Sequence, residues 1–336
     1  MSSKSFSPVA KLFLTAAIFG WLAGFAICAE AQTKHVILIS VDGLRADAIS
    51  ALGKEAPDFS FIIQNGATTL NARTDADYAI TLPDHTCMLT GLGVKGEKGH
   101  NYRFNGEMDA GTIHDVKGRY VPSVFDVVHS HNLRSAFFAT KSKFDLYLKS
   151  YGALIDVSEI RPYDDAAIVA KTIQELTTNH PNFIFLHLAE PDHTGHAKGW
   201  DLTAGSSYLK AVQRDDELIA RILQAINQDE QLKNTTVVII TADHGGHGKT
   251  HGDMKDVRDI TIPFLVWGAG VASGTDLYTL NSKSRKDPGT IQIPYAADGQ
   301  PIRNGDAANL ALFLLGLPAV PQSTINADQD LNVRQE

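Results

Sequence analysis

Short apolar runs alternate along the chain with longer stretches in which apolar residues recur at helical spacing. Near-continuous apolar runs lie at residues 35–41 (HVILISV), 135–139, 183–188, 236–241 and 262–267. Runs of this length and character are typical of strands buried on both faces of a parallel sheet. Helical spacing predicts helices at residues 121–131, 164–178, 206–227 and 306–315. The repeated strand–helix order predicts an α/β fold, with a doubly wound, mostly parallel sheet flanked by helices.

The first 31 residues have the three parts of a secretory signal peptide. Lys4 and Lys11 precede an apolar stretch over residues 12–28, and Ala29-Glu30-Ala31 supplies the small residues of a cleavage site. Cleavage after Ala31 is expected to leave a single domain over residues 32–336, secreted or periplasmic, with no stable membrane span. An uncleaved membrane anchor is the alternative, because the apolar run is near the lower length limit for a span.

Composition and charge exclude several classes of protein. The 336 residues are 43% hydrophobic and 20% charged, as in a soluble globular protein, and no composition break marks a second domain. Gly, Pro, Asp and Ser are frequent over residues 273–304, which predicts an irregular excursion before the last helix. The net charge of −8, without a basic run, argues against binding to a nucleic-acid duplex. Only Cys87 would remain after cleavage, so no internal disulfide is expected.

Carboxylates and imidazoles follow three of the predicted strands. Open α/β sheets place their ligands beyond the carboxyl ends of the strands, so these side chains are expected to meet. A carboxylate at a strand end is by itself usually a turn residue or a helix cap, but Asp and His together are zinc ligands. Three carboxylates and three neutral imidazoles are too many ligands for one tetrahedral ion and suit two. The imidazole content favours zinc, and iron, manganese or calcium are the alternative ions for an Asp/His site. The candidate ligands are Asp42, Asp192, His196, Asp243, His244 and His251.

A candidate nucleophile lies at the start of a predicted short helix. Pro83 is expected as the first residue of this helix and Gly91 as its end, which places Thr81 at the helix start. Free backbone N–H groups and the positive end of the helix dipole there would favour an alkoxide and an approaching phosphate. The alternative is that Thr81 only caps the helix. Thr86 is the second candidate nucleophile, although a position inside the helix directs its hydroxyl to the helix's own carbonyls.

The order of these motifs resembles the alkaline phosphatase superfamily, and within it the type I phosphodiesterase / nucleotide pyrophosphatase branch. The matching motifs are Asp42-Gly43, Thr81-Leu82-Pro83-x-His85, Thr90-Gly91, Glu190-Pro191-Asp192-x3-His196, Asp243-His244-Gly245 and His251-Gly252. The resemblance covers about residues 35–318 and implies an alkaline-phosphatase-like core with two zinc ions about 4 Å apart. Carried over residue by residue, it implies one ion on Asp42, Thr81, Asp243 and His244, and the other on Asp192, His196 and His251.

The resemblance also implies roles for two catalytic residues. Thr81 would attack phosphorus in line as a metal-activated alkoxide and form a phospho-threonine intermediate, which water then hydrolyses. Asn105 stands where family members often place an asparagine that holds a phosphoryl oxygen. His247 competes with His251 for the last ligand position, and Gly252 after His251 favours His251.

The expected function is that of an exported phosphodiesterase or nucleotide pyrophosphatase acting on a small phosphorylated substrate such as a nucleotide. A phosphomonoesterase would need cations over a dianionic phosphate, and Lys141 and Lys143 could supply them from a loop after a strand. Phosphonate hydrolysis would use the same site, whereas a sulfatase is disfavoured because Thr81 is neither Cys nor Ser. The non-enzymatic alternative is an inactive metal-binding or phosphate-binding module. His187 and His193 are expected to be a packed strand residue and a loop residue, and the protein a monomer or homodimer.

Overall fold

The computed structural model describes residues 1–3, 33–107 and 110–335. All the elements below lie in the unit Ala31–Glu336. Apart from residues 1–3, the predicted signal peptide falls outside the described residues and stays a prediction. Across the described part of the chain, no helix combines the length and the apolar character needed to cross a membrane.

The Ala31–Glu336 unit is built on one sheet of eight strands within the described residues. The strands are β1 (His35–Val41), β2 (Ala67–Arg73), β3 (Ser135–Ala139), β4 (Val157–Ile160), β5 (Phe183–Leu188), β6 (Thr236–Thr241), β7 (Thr261–Gly268) and β8 (Thr275–Asp276). Their order in the sheet is β4-β3-β5-β1-β6-β7-β2-β8. β1 pairs in parallel with β5 and with β6, whereas β7 runs antiparallel to β6 and β2. The prediction of a mostly parallel sheet is therefore confirmed, with β7 as the antiparallel member.

Helices connect and flank the strands. They are α1 (Ala46–Leu52), α2 (Pro57–Asn65), α3 (Thr81–Thr90), α4 (Ile113–Lys117), α5 (Val124–Ser130), α6 (Asp145–Tyr151), α7 (Asp165–Asn179), α8 (Glu190–Lys198), α9 (Ser207–Gln228), α10 (Val257–Ile260), α11 (Leu277–Leu280) and α12 (Asp306–Leu314). Helices α7, α9 and α12 lie within one residue of their predicted bounds. Helix α5 begins at Val124, later than predicted, because Ser123 and Asp126 form a capping box that fixes its first turn.

Every residue of β1, β5 and β6 is buried, which explains why the sequence runs in these strands are almost wholly apolar. These three strands are neighbours at the centre of the sheet. Their carboxyl ends therefore meet at one place, where polar residues begin.

The segment 273–304 contains β8 and α11 and otherwise consists of turns and irregular backbone. Two buried arginines hold it against the sheet. Arg73 donates to the carbonyls of Gly289 at 2.6 Å and Ile291 at 3.0 Å, and Arg303 donates to the carbonyl of Thr74 at 2.8 Å. Hydrogen bonds to main-chain carbonyls thus anchor a stretch that has little regular structure of its own.

Candidate metal and nucleophile site

Three carboxylates converge at the carboxyl ends of β5, β1 and β6. Asp42 follows β1 directly, Asp243 comes two residues after β6, and Asp192 lies in the first turn of α8, which follows β5. All three side chains are buried. Because β5, β1 and β6 are adjacent, the pattern of strand ends that predicted a shared site brings these residues together.

A lysine bridges two of the carboxylates. Lys141 Nζ lies 2.7 Å from Asp42 Oδ2 and 2.6 Å from Asp192 Oδ2, and its side chain is 9% exposed. It reaches them from the loop after β3, the strand beside β5. The sequence suggested that Lys141 could bind a dianionic phosphate, but its ammonium contacts the carboxylates.

Two further buried histidines, His187 and His85, form a close group with Asp42 and position their neighbours. Thr140 N–H donates to His187 Nδ1 at 3.3 Å, so Nε2 carries the proton and donates to Asp42 Oδ2 at 2.9 Å. His85 Nδ1 contacts the Thr81 carbonyl at 2.7 Å while its Nε2 contacts Ser40 Oγ at 2.7 Å, which ties the start of α3 to β1. His187 is the one polar residue in the apolar run of β5, and that was the available sequence signal for its role.

Three histidines present Nε2 towards the site because their Nδ1 atoms are engaged by main-chain carbonyls. A carbonyl can only accept, so each Nδ1 carries the proton and each Nε2 keeps its lone pair. Such hydrogen bonds fix the tautomer and orientation of metal-binding histidines. The pairs are His244 with the Gly245 carbonyl at 2.8 Å, His251 with the Ala79 carbonyl at 2.8 Å and His196 with the Lys249 carbonyl at 3.1 Å.

Several inward-facing ligand atoms are buried without a hydrogen bond. They are Asp42 Oδ1, Asp192 Oδ1, Asp243 Oδ2 and His244 Nε2. His244 Nε2 lies 3.1 Å from Asp243 Oδ2 and 3.7 Å from Asp42 Oδ1, and His196 Nε2 lies 3.3 Å from Asp192 Oδ1. Burying such atoms unpaired is costly, and acceptors facing acceptors cannot pair among themselves. The donor set therefore fits divalent cations: Asp192, His196 and His251 form one group of close ligand atoms, and Asp42, Asp192 and His244 form another. Asp243 Oδ2 lies beside His244.

The electrostatics of the site also favour cation binding. Burial lowers the pKa of His244, and it lowers the pKa of His251 to about 3, so both imidazoles are neutral as metal ligands must be. Burial acts to raise the pKa of Asp42, but the Lys141 ammonium and His187 outweigh it, and the pKa lies well below the ordinary value. Burial and the charge of Asp42 raise the pKa of Asp243 well above its ordinary value. The single positive charge of Lys141 is thus insufficient to neutralise the negative charge of the three carboxylates.

Thr81 is the first residue of α3 and is buried beside this cluster. Ile80 occupies the cap position, so Thr81 is not the capping residue, and the predicted helix start at Pro83 is two residues late. The Asp84 carboxylate replaces a side-chain cap by accepting the N–H of Ile80 at 2.8 Å. Thr86 donates its hydroxyl to the Leu82 carbonyl at 2.7 Å, as expected for a residue inside the helix.

The Asn105 side chain reaches the start of α3, where two hydrogen bonds fix its orientation. Its Oδ1 accepts the N–H of Leu82 at 3.1 Å and a hydrogen bond from Lys143 Nζ at 3.0 Å. The expectation of free backbone donors at the helix start is wrong in part, because the Leu82 N–H is bound to Asn105 and Pro83 has none. Asn105, Lys143, Tyr163, Asp192 and His196 are among the residues that line a cavity of about 270 Å³.

The structure separates the two histidines that competed for the last ligand position. The His251 ring stacks on His244 with ring centroids 3.6 Å apart, whereas His247 Nδ1 pairs with Asp259 Oδ1 at 2.7 Å. His193 was expected in a loop but lies in α8, because the helix begins at Glu190, and its ring packs 4.9 Å from that of Tyr163.

Trp200 contacts the three segments that carry the carboxylates: the turn after β1, helix α8 and the loop after β6. Its Nε1 donates to the Gly43 carbonyl at 2.9 Å, beside Asp42. A Cβ atom at Gly195 or at Gly246 would lie 2.4 Å from the indole ring, so only glycine lets α8 and the loop after β6 pack on it. Gly43 has φ of 69°, and a Cβ there would lie 2.9 Å from Asp192 Cα, so the two loops are in direct contact.

Asp165 fixes the start of α8 from the neighbouring helix α7. Its buried carboxylate accepts the N–H of Ala189 at 3.0 Å and the N–H of Glu190 at 2.8 Å. These donors are backbone groups that the first turn of α8 cannot pair itself. The helix that carries Asp192 and His196 is therefore held at its amino end by an anion on a separate element.

Comparisons with known proteins found a matching family and similar structures. The sequence model of the family described as type I phosphodiesterase / nucleotide pyrophosphatase matches residues 36–255. Ectonucleotide pyrophosphatase/phosphodiesterase family member 1 of Mus musculus is 25% identical over 260 residues, which are 70% of this chain and 28% of that protein. GPI ethanolamine phosphate transferase 1 of Aspergillus oryzae is 30% identical over 326 residues, covering 86% of this chain and 30% of that protein. The chain thus spans about a third or less of the length of these relatives.

Solved structures share the fold at low sequence identity. An inactive threonine-to-alanine variant of murine ectonucleotide pyrophosphatase / phosphodiesterase 5, in complex with AMP, superposes with a TM-score of 0.60 and 16% identity, covering 89% of this chain and 99% of that one. The lipoteichoic acid synthase LtaP from Listeria monocytogenes gives a TM-score of 0.64 and 14% identity, covering 90% and 77%. A protein of the alkaline phosphatase superfamily from Vibrio parahaemolyticus gives a TM-score of 0.58 at 13% identity, covering 87% and 68%.

Proposed function

Because the chain belongs to the type I phosphodiesterase / nucleotide pyrophosphatase family, we propose that it hydrolyses phosphoric esters, with phosphodiesters and nucleotides as its substrate class. The observation that carries this proposal is the convergence of unpaired carboxylate and imidazole atoms beside Thr81 at the start of α3. The neutral imidazoles of His244 and His251, together with the excess of carboxylates, suit divalent cations, and Thr81 supplies a hydroxyl at the helix start.

The ligand groups divide between two ions, for which zinc is the expected metal. Asp42, Thr81, Asp243 and His244 would hold one ion, and Asp192, His196 and His251 the other. When bound, such ions stabilise negative charge on phosphoryl oxygens and lower the pKa of a coordinated hydroxyl.

The residues of the chain orient the ester around this centre. Thr81 acts as the nucleophile, with its main chain held to β1 through His85. Asn105 donates from Nδ2 to a phosphoryl oxygen, because its Oδ1 is already bound to Leu82 and Lys143. Preorganised donors of this kind are worth about 2.7–4 kcal/mol in comparable sites.

The small number of lysines near the site favours diesters over monoesters as substrates. A phosphomonoester carries a second charge that needs an additional cation, and Lys141 is committed to two carboxylates. Lys143 is the remaining lysine in the 270 Å³ cavity among the described residues. The murine structure, an inactive threonine-to-alanine variant in complex with AMP, further supports a threonine nucleophile and a nucleotide-like substrate.

We further propose that the protein is exported, that cleavage after Ala31 leaves a catalytic domain over residues 32–336, and that this domain is a monomer or homodimer. The relatives named as ectonucleotide enzymes support export. Transfer to an alcohol in place of water is the second candidate reaction, because an ethanolamine phosphate transferase matches 86% of the chain.

Turnover of bis-p-nitrophenyl phosphate, p-nitrophenyl phosphate and a phosphonate ester tests the proposal. We expect the diester to be preferred, Thr81→Ala to reduce its turnover by at least about a thousandfold, and a chelator to remove activity that zinc restores. Thr86→Ala is the matched control, since it changes the same residue type in the same helix and should retain activity. Full activity of Thr81→Ala would refute the nucleophile assignment, and activity indifferent to chelation would refute the metal. Products formed with added glycerol distinguish transfer from hydrolysis.

A further inference from the structure

Lys141 and the expected metal ions neutralise the same carboxylates. The ammonium binds Oδ2 of Asp42 and of Asp192 at 2.7 and 2.6 Å, while Oδ1 of each carboxylate is buried without a hydrogen bond. One oxygen of each carboxylate thus faces a fixed positive charge, and the other remains for a cation. A bound ion and the ammonium would both be present, a few ångströms apart, within a buried site where charges are weakly screened.

Lys141 is the only lysine or arginine of the described residues that forms an ion pair with Asp42, Asp192 or Asp243. Lys143, two residues further along, contacts Asn105 instead. In the metal-free protein, Lys141 therefore carries most of the charge compensation for three buried carboxylates, and burying carboxylates without a partner is costly.

Contacts other than those with Lys141 also hold Asp42 and Asp192 in position. Asp42 is also held by His187 at 2.9 Å, and it follows β1 without an intervening residue. Asp192 lies on α8, whose backbone is in contact with the turn at Gly43 and is held by Asp165. Removing the ammonium thus changes the charge of the site more than it changes the positions of the ligands.

We propose that Lys141 is an internal counter-ion that opposes metal binding: it stabilises the metal-free site and weakens the affinity of the same site for divalent ions. This inference rests on the proposed metal-dependent function. By thermodynamic linkage, a group that stabilises the metal-free protein more than the metal-bound protein lowers metal affinity by the same free energy. The consequence is a site that remains assembled without metal and releases metal more readily than its ligand set alone would allow.

The test compares Lys141→Met, which removes the charge at similar length, with Lys141→Arg, which keeps it. Zinc affinity is measured by competition with a chromophoric chelator, and thermal unfolding is measured in excess chelator. Lys141→Met is expected to bind zinc roughly 5- to 150-fold more tightly than the wild type and to unfold at a lower temperature without metal. Lys149→Met, which removes an exposed lysine paired with Asp145, should leave both quantities unchanged.

Each outcome decides the question. Unchanged or weaker zinc binding by a folded Lys141→Met protein overturns the inference, because Lys141 would then serve ligand placement or substrate binding. If Lys141→Met folds only with zinc, the inference is supported in its extreme form. If that variant does not fold under either condition, Lys141→Gln takes its place in both measurements. Failure of the wild type to bind any divalent ion would instead refute the proposed function.

Discussion

Replacing Asp165 by alanine removes the anion that fixes the start of α8. The carboxylate oxygens accept the N–H of Ala189 at 3.0 and 3.1 Å and the N–H of Glu190 at 2.8 Å, and the residue is 6% exposed. In Asp165→Ala these two donors lose their partner in a place that water reaches poorly. The first turn of α8, which carries Asp192, loses its link to α7.

The expected loss of stability follows from these contacts. Hydrogen bonds to charged groups contribute about 1.5–3 kcal/mol each, and an anion at a helix start adds about 0.3–1 kcal/mol. One effect acts in the opposite direction, because burial and the charge of Asp165 raise the pKa of Asp215 well above its ordinary value. Removing Asp165 relieves that repulsion. The net cost is therefore about 2–4 kcal/mol in the free energy of unfolding.

The assay combines urea unfolding of the metal-free protein with zinc titration. Asp165→Ala should lose this stability, and its zinc affinity should fall by about 10- to 100-fold, as for other residues that support metal ligands indirectly. Asp164→Ala is the matched control, because Asp164 caps α7 by accepting the Ala167 N–H at 2.9 Å in an exposed position. It should cost about 1 kcal/mol and leave zinc affinity unchanged.

Two results would refute this reasoning. Equal losses of stability in Asp165→Ala and Asp164→Ala would show that the buried bonds to α8 contribute no more than an ordinary cap. A full loss of stability with wild-type zinc affinity would show that the start of α8 does not position Asp192 and His196.

Two further predictions concern Gly195 and Lys143. Gly195→Ala should destabilise the protein by about 1–3 kcal/mol, because its Cβ would lie 2.4 Å from the Trp200 ring. Gly152→Ala, where the nearest atom is 3.9 Å away, should not destabilise it, and equal melting temperatures of the two variants would contradict the packing argument. Burial, with the charge of Lys141, lowers the pKa of Lys143 to about 8, so its ammonium is present below that pH and lost above it. The KM for an anionic diester should therefore rise as the pH increases through about 8. Lys143→Met should have a higher KM than the wild type and should not show this rise. If the variant shows the same pH dependence as the wild type, Lys143 does not bind the anionic substrate.

The sequence predicts the centre of the sheet well and its edges poorly. Strands β1, β3, β5 and β6 coincide with the predicted apolar runs, because strands buried on both faces must be apolar throughout. Strand β2 (ATTLNAR) was not predicted, since its polar residues interrupt the pattern and its antiparallel pairing with β7 contains a register shift. Strand β4 was also not predicted. It lies at an edge of the sheet, is partly exposed and has only four residues, so its sequence shows little hydrophobic pattern.

The same distinction holds for the candidate site. Its proposed ligands are polar residues placed where a strand ends, a position that can be located from the sequence. The contacts of Lys141 and His187 depend on which strands are neighbours, because β3 and β5 bring them to Asp42 from other parts of the chain. Strand order is a property of the assembled sheet, so these roles became visible only in the structure.

The adjacency of β5, β1 and β6 has a consequence for how this site can vary among related sequences. Main-chain hydrogen bonding holds neighbouring strands about 4.8 Å apart whatever their side chains are. The lateral separation of the strand ends from which Asp192, Asp42 and Asp243 follow is therefore set by peptide geometry. Insertions at the outer strands β4 and β8, or in the segment 273–304, can therefore change the rim of the candidate site while the spacing of the central strand ends stays the same.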